Sequence, residues 1–150
     1  MSVSILFVCL GNICRSSTAE GVFRHMAEAA GADVACDSAG TSNWHVGGPP
    51  DDRAVAEARR RGIDLSSLRA RQVTTEDFAR FDLIFGMDRS NVAKLEAMRP
   101  AGNETPVALF LSERSRAGPD EVPDPYYEDN FPEVFDMLSD ASRGLLARLA

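Results

Sequence analysis

The sequence predicts an α/β domain in three layers: a parallel sheet of four strands with helices on both faces. Apolar runs at 3–8, 32–37, 83–87 and 106–111 alternate with stretches of helical periodicity. Strands that alternate with helices build parallel sheets wrapped on both sides. The first run, Val3–Val8, is apolar enough for the centre of such a sheet. The chain has 150 residues, 44% of them hydrophobic, and shows no internal repeat or linker-like tract. That bounds it to one ordinary domain over residues 1–150 with a substantial core.

After the first strand, Ala19, Val22, Phe23, Met26, Ala27 and Ala30 follow helical spacing, with Gly31 as the stop. Ala32–Asp37 is a short strand whose Cys36 is expected to pack in the core. The long Gly/Pro-rich loop of residues 38–50 carries the only tryptophan, Trp44. Such an aromatic is either a lid on the core or a wall of a cleft. Asp51 or Asp52 caps a helix running to about Arg61 and ended by Gly62, with Arg59–Arg61 as its solvated face. Thr74–Asp77 starts another short helix, and Asp88 caps one that ends before Pro100. Pro132 introduces a last helix with Val134, Phe135, Leu138, Ala141, Leu145, Leu146 and Leu149 on one face.

In parallel sheets ligands sit beyond the carboxyl ends of the strands, often after the first one. Here that position holds Cys9-Leu10-Gly11-Asn12-Ile13-Cys14-Arg15-Ser16. A helix N-terminus offers free N–H groups and the positive end of its dipole to an anion. Gly11 and Asn12 are the residue types that most readily adopt positive φ, so successive N–H groups can turn inward as a nest. Cys9 lies at its mouth, and Arg15, six residues on, brings a fixed fork of five donors. The chemistry that wants this arrangement is attack of a thiolate on phosphorus. Lowering a thiol pKa from about 8.5 to about 5 raises the thiolate fraction at neutral pH only about 30-fold, or roughly 2 kcal/mol. Phosphate monoester hydrolysis asks for roughly 20 kcal/mol, so the loop and Arg15 must supply most of it. Against this, a cysteine at a strand end is often a small buried hydrophobe, and a bare C-x5-R match is a weak pattern.

Val122-Pro123-Asp124-Pro125-Tyr126-Tyr127 is the second informative stretch. It lies in the connection after the fourth strand, which leaves the same end of the sheet and can reach over Cys9. A leaving phenolate needs a proton, and Asp124 is a sensible donor. Acids at 120, 121, 128, 129, 133, 136 and 140, with no Lys or Arg from 117 to 142, are expected to crowd it and favour its protonated form. The alternative is that Asp124 merely caps an Asp-Pro turn.

Composition excludes several classes. A formal net charge of −7 argues against nucleic acid as partner. It leaves room for a phosphate ligand, because charges beyond about 8 Å are largely screened. No stretch approaches a membrane span, and no basic region precedes the first apolar run as in a signal peptide. Three cysteines suit a reducing cytoplasm.

Together these stretches resemble the low-molecular-weight protein tyrosine phosphatases, over essentially the whole chain. The matching pieces are Val8–Ser16, Asp37-Ser38-Ala39-Gly40-Thr41, Trp44-His45-Val46-Gly47, Arg69–Val73, Met87-Asp88 with Ser90-Asn91, and Asp124-Pro125-Tyr126-Tyr127. The resemblance implies sheet order 2-1-3-4 and a phosphate-binding loop after strand 1. It implies Cys9 as nucleophile, Arg15 as phosphoryl binder and Asp124 as general acid. Leu10, Gly11, Asn12, Ile13, Cys14, Arg15 and Ser16 would form the cradle. Ser16 would stabilise the thiolate, and Ser38 would help pin Asn12. Leu10, Ile13, Trp44, Tyr126 and Tyr127 would wall a cleft for an aromatic ring. Cys14 would be a redox partner for Cys9.

The implied substrate is a phosphotyrosine protein or small aryl phosphate, hydrolysed through a cysteinyl-phosphate with no metal or cofactor and with inorganic phosphate or another oxyanion as site ligand. The family commonly has histidine near Ser67, supporting the loop asparagine, so the shorter Ser67 is expected to leave that network looser or water-bridged. Rival readings are an arsenate reductase, a protein-arginine phosphatase, a non-catalytic phosphate-binding module and a purely structural domain. The absence of cysteine after Cys36 disfavours the first. Ile13, where the second carries a small polar residue, disfavours that one. Asp124 discriminates against a pure binder, and a structural domain leaves Arg15 beside an unexplained anion nest.

Overall fold

The computed structural model describes residues 2–114 and 118–149. Four parallel strands, β1 (Val3–Cys9), β2 (Val34–Gly40), β3 (Leu83–Gly86) and β4 (Val107–Leu109), form one sheet in the order β2-β1-β3-β4. The helices are α1 (Arg15–Ala29), α2 (Asp52–Arg60), α3 (Asp77–Arg80), α4 (Arg89–Met98), α5 (Pro125–Glu128) and α6 (Phe131–Leu149). Among the described residues no helix is long and apolar enough to cross a membrane.

Strand side chains alternate between faces, and β1 shows what that does to a continuous apolar run. Ile5, Phe7 and Cys9 share one face and one core with Phe23 of α1, Phe85 of β3 and Leu138 and Leu145 of α6. Leu6 and Val8 point the other way, onto Ile84, Phe78 and Leu95. The first core is tied by edge-on aromatics, Phe7–Phe110 at 4.9 Å and Phe7–Phe23 at 5.9 Å. Such pairs contribute about 1 kcal/mol each beyond their area. The parity of β1 also directs the Cys9 side chain toward the α1 and α6 side of the sheet.

Several boundaries differ from those expected. β2 begins later than the expected residue 32, because Ala32 belongs to the turn that ends α1: its N–H bonds the carbonyl of Ala27 past Gly31 at φ 66°. It also runs on to Gly40, since Ser38, Ala39 and Gly40 pair with Phe7, Val8 and Cys9. β4 stops at Leu109, short of residue 111, and passes into a 3-10 turn over Phe110–Glu113 that drives Phe110 into the core. The short α5, with Pro125 at its first turn, lies in what the sequence presents as loop. Arg61 is also no plain solvated residue. It pairs with Glu57 and Asp136 and stacks 4.6 Å over Phe135, joining α2 to α6.

α6 packs so closely on the 3-10 turn that a Cβ added at Gly144 falls 1.7 Å from the Glu113 carbonyl oxygen. Gly144→Ala would gain about 1 kcal/mol of helix propensity. The backbone clash outweighs that, so we expect a net destabilisation of about 2 kcal/mol. Urea unfolding reads it, and a variant more stable than the parent would mean that this contact is slack.

Candidate active site

β1 ends beside Gly40 of β2, and the chain turns through residues 10–14 into α1. Of the two residues expected at positive φ, only Asn12 takes it, at 59°. Gly11 leaves room for a neighbour instead: a Cβ there would meet His45 Cδ2 at 3.1 Å. A left-handed asparagine costs about 1 kcal/mol or more. Three hydrogen bonds offset that, each contributing about 1 kcal/mol. Asn12 Nδ2 donates to Ser16 Oγ at 2.8 Å and to Ser38 Oγ at 2.9 Å, and its Oδ1 accepts from the Arg71 N–H at 3.0 Å. With Asn12 so held, its backbone N–H reaches Cys9 Sγ at 3.3 Å. Ser16 Oγ lies 3.0 Å from the sulfur and the Ser16 N–H 3.5 Å. Since Ser16 Oγ accepts from Asn12, its own proton can turn to Sγ or to the Ala39 carbonyl at 3.5 Å. Three donors therefore surround a sulfur that is 2% exposed.

Arg15 is 3% exposed and aims into the same space. Its Nη1 donates to Asp88 Oδ2 at 2.7 Å and to the Val122 carbonyl at 3.0 Å. Its Nη2 lies 3.6 Å from Asp124 Oδ2. Burial opposes the charge, but Cys9, Asp88 and Asp124 around it outweigh burial and hold the guanidinium above its ordinary value. Asp124 caps α5 and also faces the arginine fork. Oδ1 caps α5 by accepting from the Tyr126 N–H at 3.0 Å, while Oδ2 faces Arg15. The acidic crowd expected around it is drawn off elsewhere: Asp120 and Glu121 pair with Arg89, and Asp136 with Arg61.

Above the sulfur opens a cleft of about 140 Å³, lined by Leu10, Ile13, Trp44, His45, Tyr126 and Tyr127, with Cys9, Arg15 and Asp124 at its foot. Trp44 is 68% exposed, so it is no lid on the core. Cys14 is buried beside the loop. Burial foremost, then the negative charges of Asp51, Cys9 and Asp124, push its thiol well above the ordinary range. Cys36 packs half-buried against the first core, where burial pushes its thiol up to about 12.

Three supporting residues escaped the sequence. Glu20, buried in α1, accepts from Ser38 Oγ at 2.6 Å and is paired by Arg24 at 2.6 Å, so it anchors the far end of the Asn12 network. Asp88 was legible only as the cap of α4, which it is, but its second oxygen holds Arg15. Arg53 spans α2 and α5, bonding Asp51 and the Tyr126 carbonyl and stacking over Tyr126 and Phe131. Ser67 is exposed and lines a groove with Arg24 and His25. Both ends of the Asn12 amide are bonded without Ser67.

Fold and site define an α/β protein whose first strand delivers a cysteine to the foot of an anion-shaped loop. The chain belongs to the low molecular weight phosphotyrosine protein phosphatase family, whose model matches residues 4–150. It is 42% identical to the low molecular weight phosphotyrosine protein phosphatase of Schizosaccharomyces pombe, over 99% of this chain and 98% of that one. The low molecular weight protein-tyrosine-phosphatase YfkJ of Bacillus subtilis is 40% identical over 98% of this chain and 96% of its own. The YfkJ crystal structure superposes with a TM-score of 0.94 over 99% and 95% of the two chains. A Drosophila arginine phosphatase shares the fold at TM-score 0.90 and 30% identity, over 96% of each chain.

Proposed function

We propose that this chain hydrolyses protein phosphotyrosine and small aryl phosphates through a cysteinyl-phosphate intermediate, without a metal. The observation that carries this is the meeting of three groups from distant parts of the chain. The Cys9 sulfur is ringed by donors, the Arg15 fork lies beside it, and the Asp124 carboxyl stands at the same cleft. In this mechanism Cys9 attacks phosphorus in line. Arg15 and the N–H groups of residues 10–16 hold the equatorial oxygens as charge develops on them. Asp124 protonates the leaving phenolate oxygen. Asp124, now a carboxylate, takes a proton from water, which attacks the cysteinyl-phosphate and releases inorganic phosphate and the Cys9 thiolate. Leu10, Ile13, Trp44, Tyr126 and Tyr127 grip the ring. When a peroxide oxidises Cys9 to the sulfenic acid, being itself reduced to water or an alcohol, the Cys14 thiol condenses with that sulfenic acid, releasing water and forming a reversible disulfide.

Residues 1–150 act as one phosphatase domain in this proposal, working in a reducing cytoplasm on a phosphotyrosine protein, with no nucleic-acid partner. The shared fold of the arginine phosphatase leaves the choice of substrate to the cleft. The apolar side chain of Ile13 and the aromatic rim suit a flat aryl ring better than a guanidino group. The test is hydrolysis of matched phosphotyrosyl, phosphoseryl and phosphoarginyl peptides with a chelator present. Turnover of the first alone is expected. Preferential turnover of the phosphoarginyl peptide would overturn the substrate assignment, and loss of activity to the chelator would overturn the metal-free mechanism.

A further inference from the structure

We infer that the ion pair between half-buried Arg71 and buried Asp77 is a positioning device for the nucleophile loop, acting on Asn12 from outside the cleft. The inference rests on Cys9 as nucleophile. It begins with residues 70–73, which lie between the end of β2 and the turn that carries Trp44. Ala70 exchanges backbone hydrogen bonds with that turn, accepting from the Gly47 N–H at 2.8 Å and donating to the Gly48 carbonyl at 2.9 Å. The Arg71 carbonyl accepts from Gly40 and the Val73 N–H donates to Gly40, each at 2.8 Å. That leaves the Arg71 N–H, which donates to Asn12 Oδ1.

Where that N–H lies depends on what anchors Arg71. Its Nη1 and Nη2 grip both oxygens of Asp77, at 3.0 and 3.1 Å, and its Nε donates to Asp37 Oδ2 at 3.1 Å. Asp77 is 0% exposed and also accepts from the Thr74 N–H at 2.9 Å. The other Asp37 oxygen accepts from the Ser38 N–H at 2.8 Å, and Ser38 Oγ is the acceptor for Asn12 Nδ2. Both ends of the Asn12 amide thus trace back to one arginine fork. Burial opposes the Arg71 charge, but Asp77 and Asp37 outweigh it and hold the guanidinium above its ordinary value.

An ion pair with one partner buried is a poor net stabiliser, because desolvation of the carboxylate consumes much of the attraction. What a bidentate fork supplies is fixed geometry, and here the geometry ends on the one left-handed residue of the loop. If Arg71 slackens, Asn12 relaxes toward ordinary φ and its backbone N–H swings off the Cys9 sulfur. The thiolate and the transferring phosphoryl group then lose a donor. Arg71 and Asp77 touch neither substrate nor sulfur, so they are positioning residues.

Asp77→Asn and Arg71→Lys test this, with Leu95→Ala as a control that opens a cavity in the core on the same side of the sheet. Three quantities are measured well below each melting temperature: kcat, KM for an aryl phosphate, and the rate of Cys9 alkylation by iodoacetate at pH 6. Both substitutions in the pair are expected to lower kcat roughly tenfold, a fraction of what direct loss of one anion-hole donor costs. KM should stay within about twofold and alkylation should slow several-fold, since the loop presents the donor less well. Leu95→Ala should lose thermal stability with wild-type kcat and alkylation. If Asp77→Asn and Arg71→Lys instead behave like Leu95→Ala, the pair is structural and the inference falls. Should Asp77→Asn fail to fold, Arg71→Lys, which keeps the charge and the backbone N–H, decides alone. A parent protein without turnover, or turnover that survives Cys9→Ser, overturns the phosphatase reading itself, before any Asp77 variant is made.

Discussion

Cys9→Ser is expected to abolish turnover of phosphotyrosyl substrates, by at least about 10⁴-fold, while leaving a folded protein that still binds inorganic phosphate or vanadate. A serine hydroxyl stays protonated at neutral pH and needs a base to become a nucleophile. The groups within reach of Cys9 Sγ are donors: the Asn12 N–H, the Ser16 N–H and the Ser16 hydroxyl. Donors can support a thiolate, but they cannot take a proton from a hydroxyl. The anion cradle itself is untouched, because Arg15 and the loop amides owe their placement to Asp88, Val122, Ser38 and Arg71. The substitution is nearly isosteric and its hydroxyl finds Ser16, so stability should change by no more than about 1 kcal/mol. Single-turnover kinetics and calorimetric titration with phosphate separate the two quantities. Retained turnover would remove Cys9 from the chemistry, and loss of phosphate binding would mean that the sulfur holds the loop together.

The second large effect is expected at Asp124→Asn. Asparagine caps a helix about as well as aspartate, so the bond to the Tyr126 N–H and the start of α5 survive. Arg15 keeps Asp88 at 2.7 Å. What disappears is the proton for the leaving oxygen. Tyrosine leaves as a phenolate with a pKa of about 10, so kcat on a phosphotyrosyl peptide should fall by about 10²–10³-fold. An aryl phosphate with a strongly acidic phenol needs little help and should lose much less. The ratio of the two losses is the diagnostic. Equal losses for both leaving groups would make Asp124 a residue that holds the cleft and donates no proton.

Much of the fold was legible because local chemistry repeats where structure repeats. The apolar run of β1, the caps at Asp51 and Asp88 and the helical face of α6 sit where pattern and propensity place them. Misplaced boundaries came from pairing. Ser38–Gly40 carries no strand propensity of its own, yet it is strand because Phe7–Cys9 lies alongside. Phe110 reads as strand but opens a 3-10 turn, with its ring buried in the first core. Leu10, Ile13, Trp44, Tyr126 and Tyr127 do line one cleft, whereas the acids near Asp124 in sequence are not its neighbours in charge, having found arginines on α2 and α4.

The sequence by itself determined the anion loop: a strand end, a cysteine, a glycine and an asparagine, then an arginine at a helix start, all within fourteen residues whose geometry is local. Only the tertiary structure decided what holds that loop to its task. Arg15 meets Asp88 across 73 positions and the Val122 carbonyl across 107, and Asn12 meets Arg71 across 59. Such partners are set by the order of strands in the sheet and by the register of each pair. Hydrophobic periodicity tells a residue which face it occupies, but not which distant residue will stand opposite.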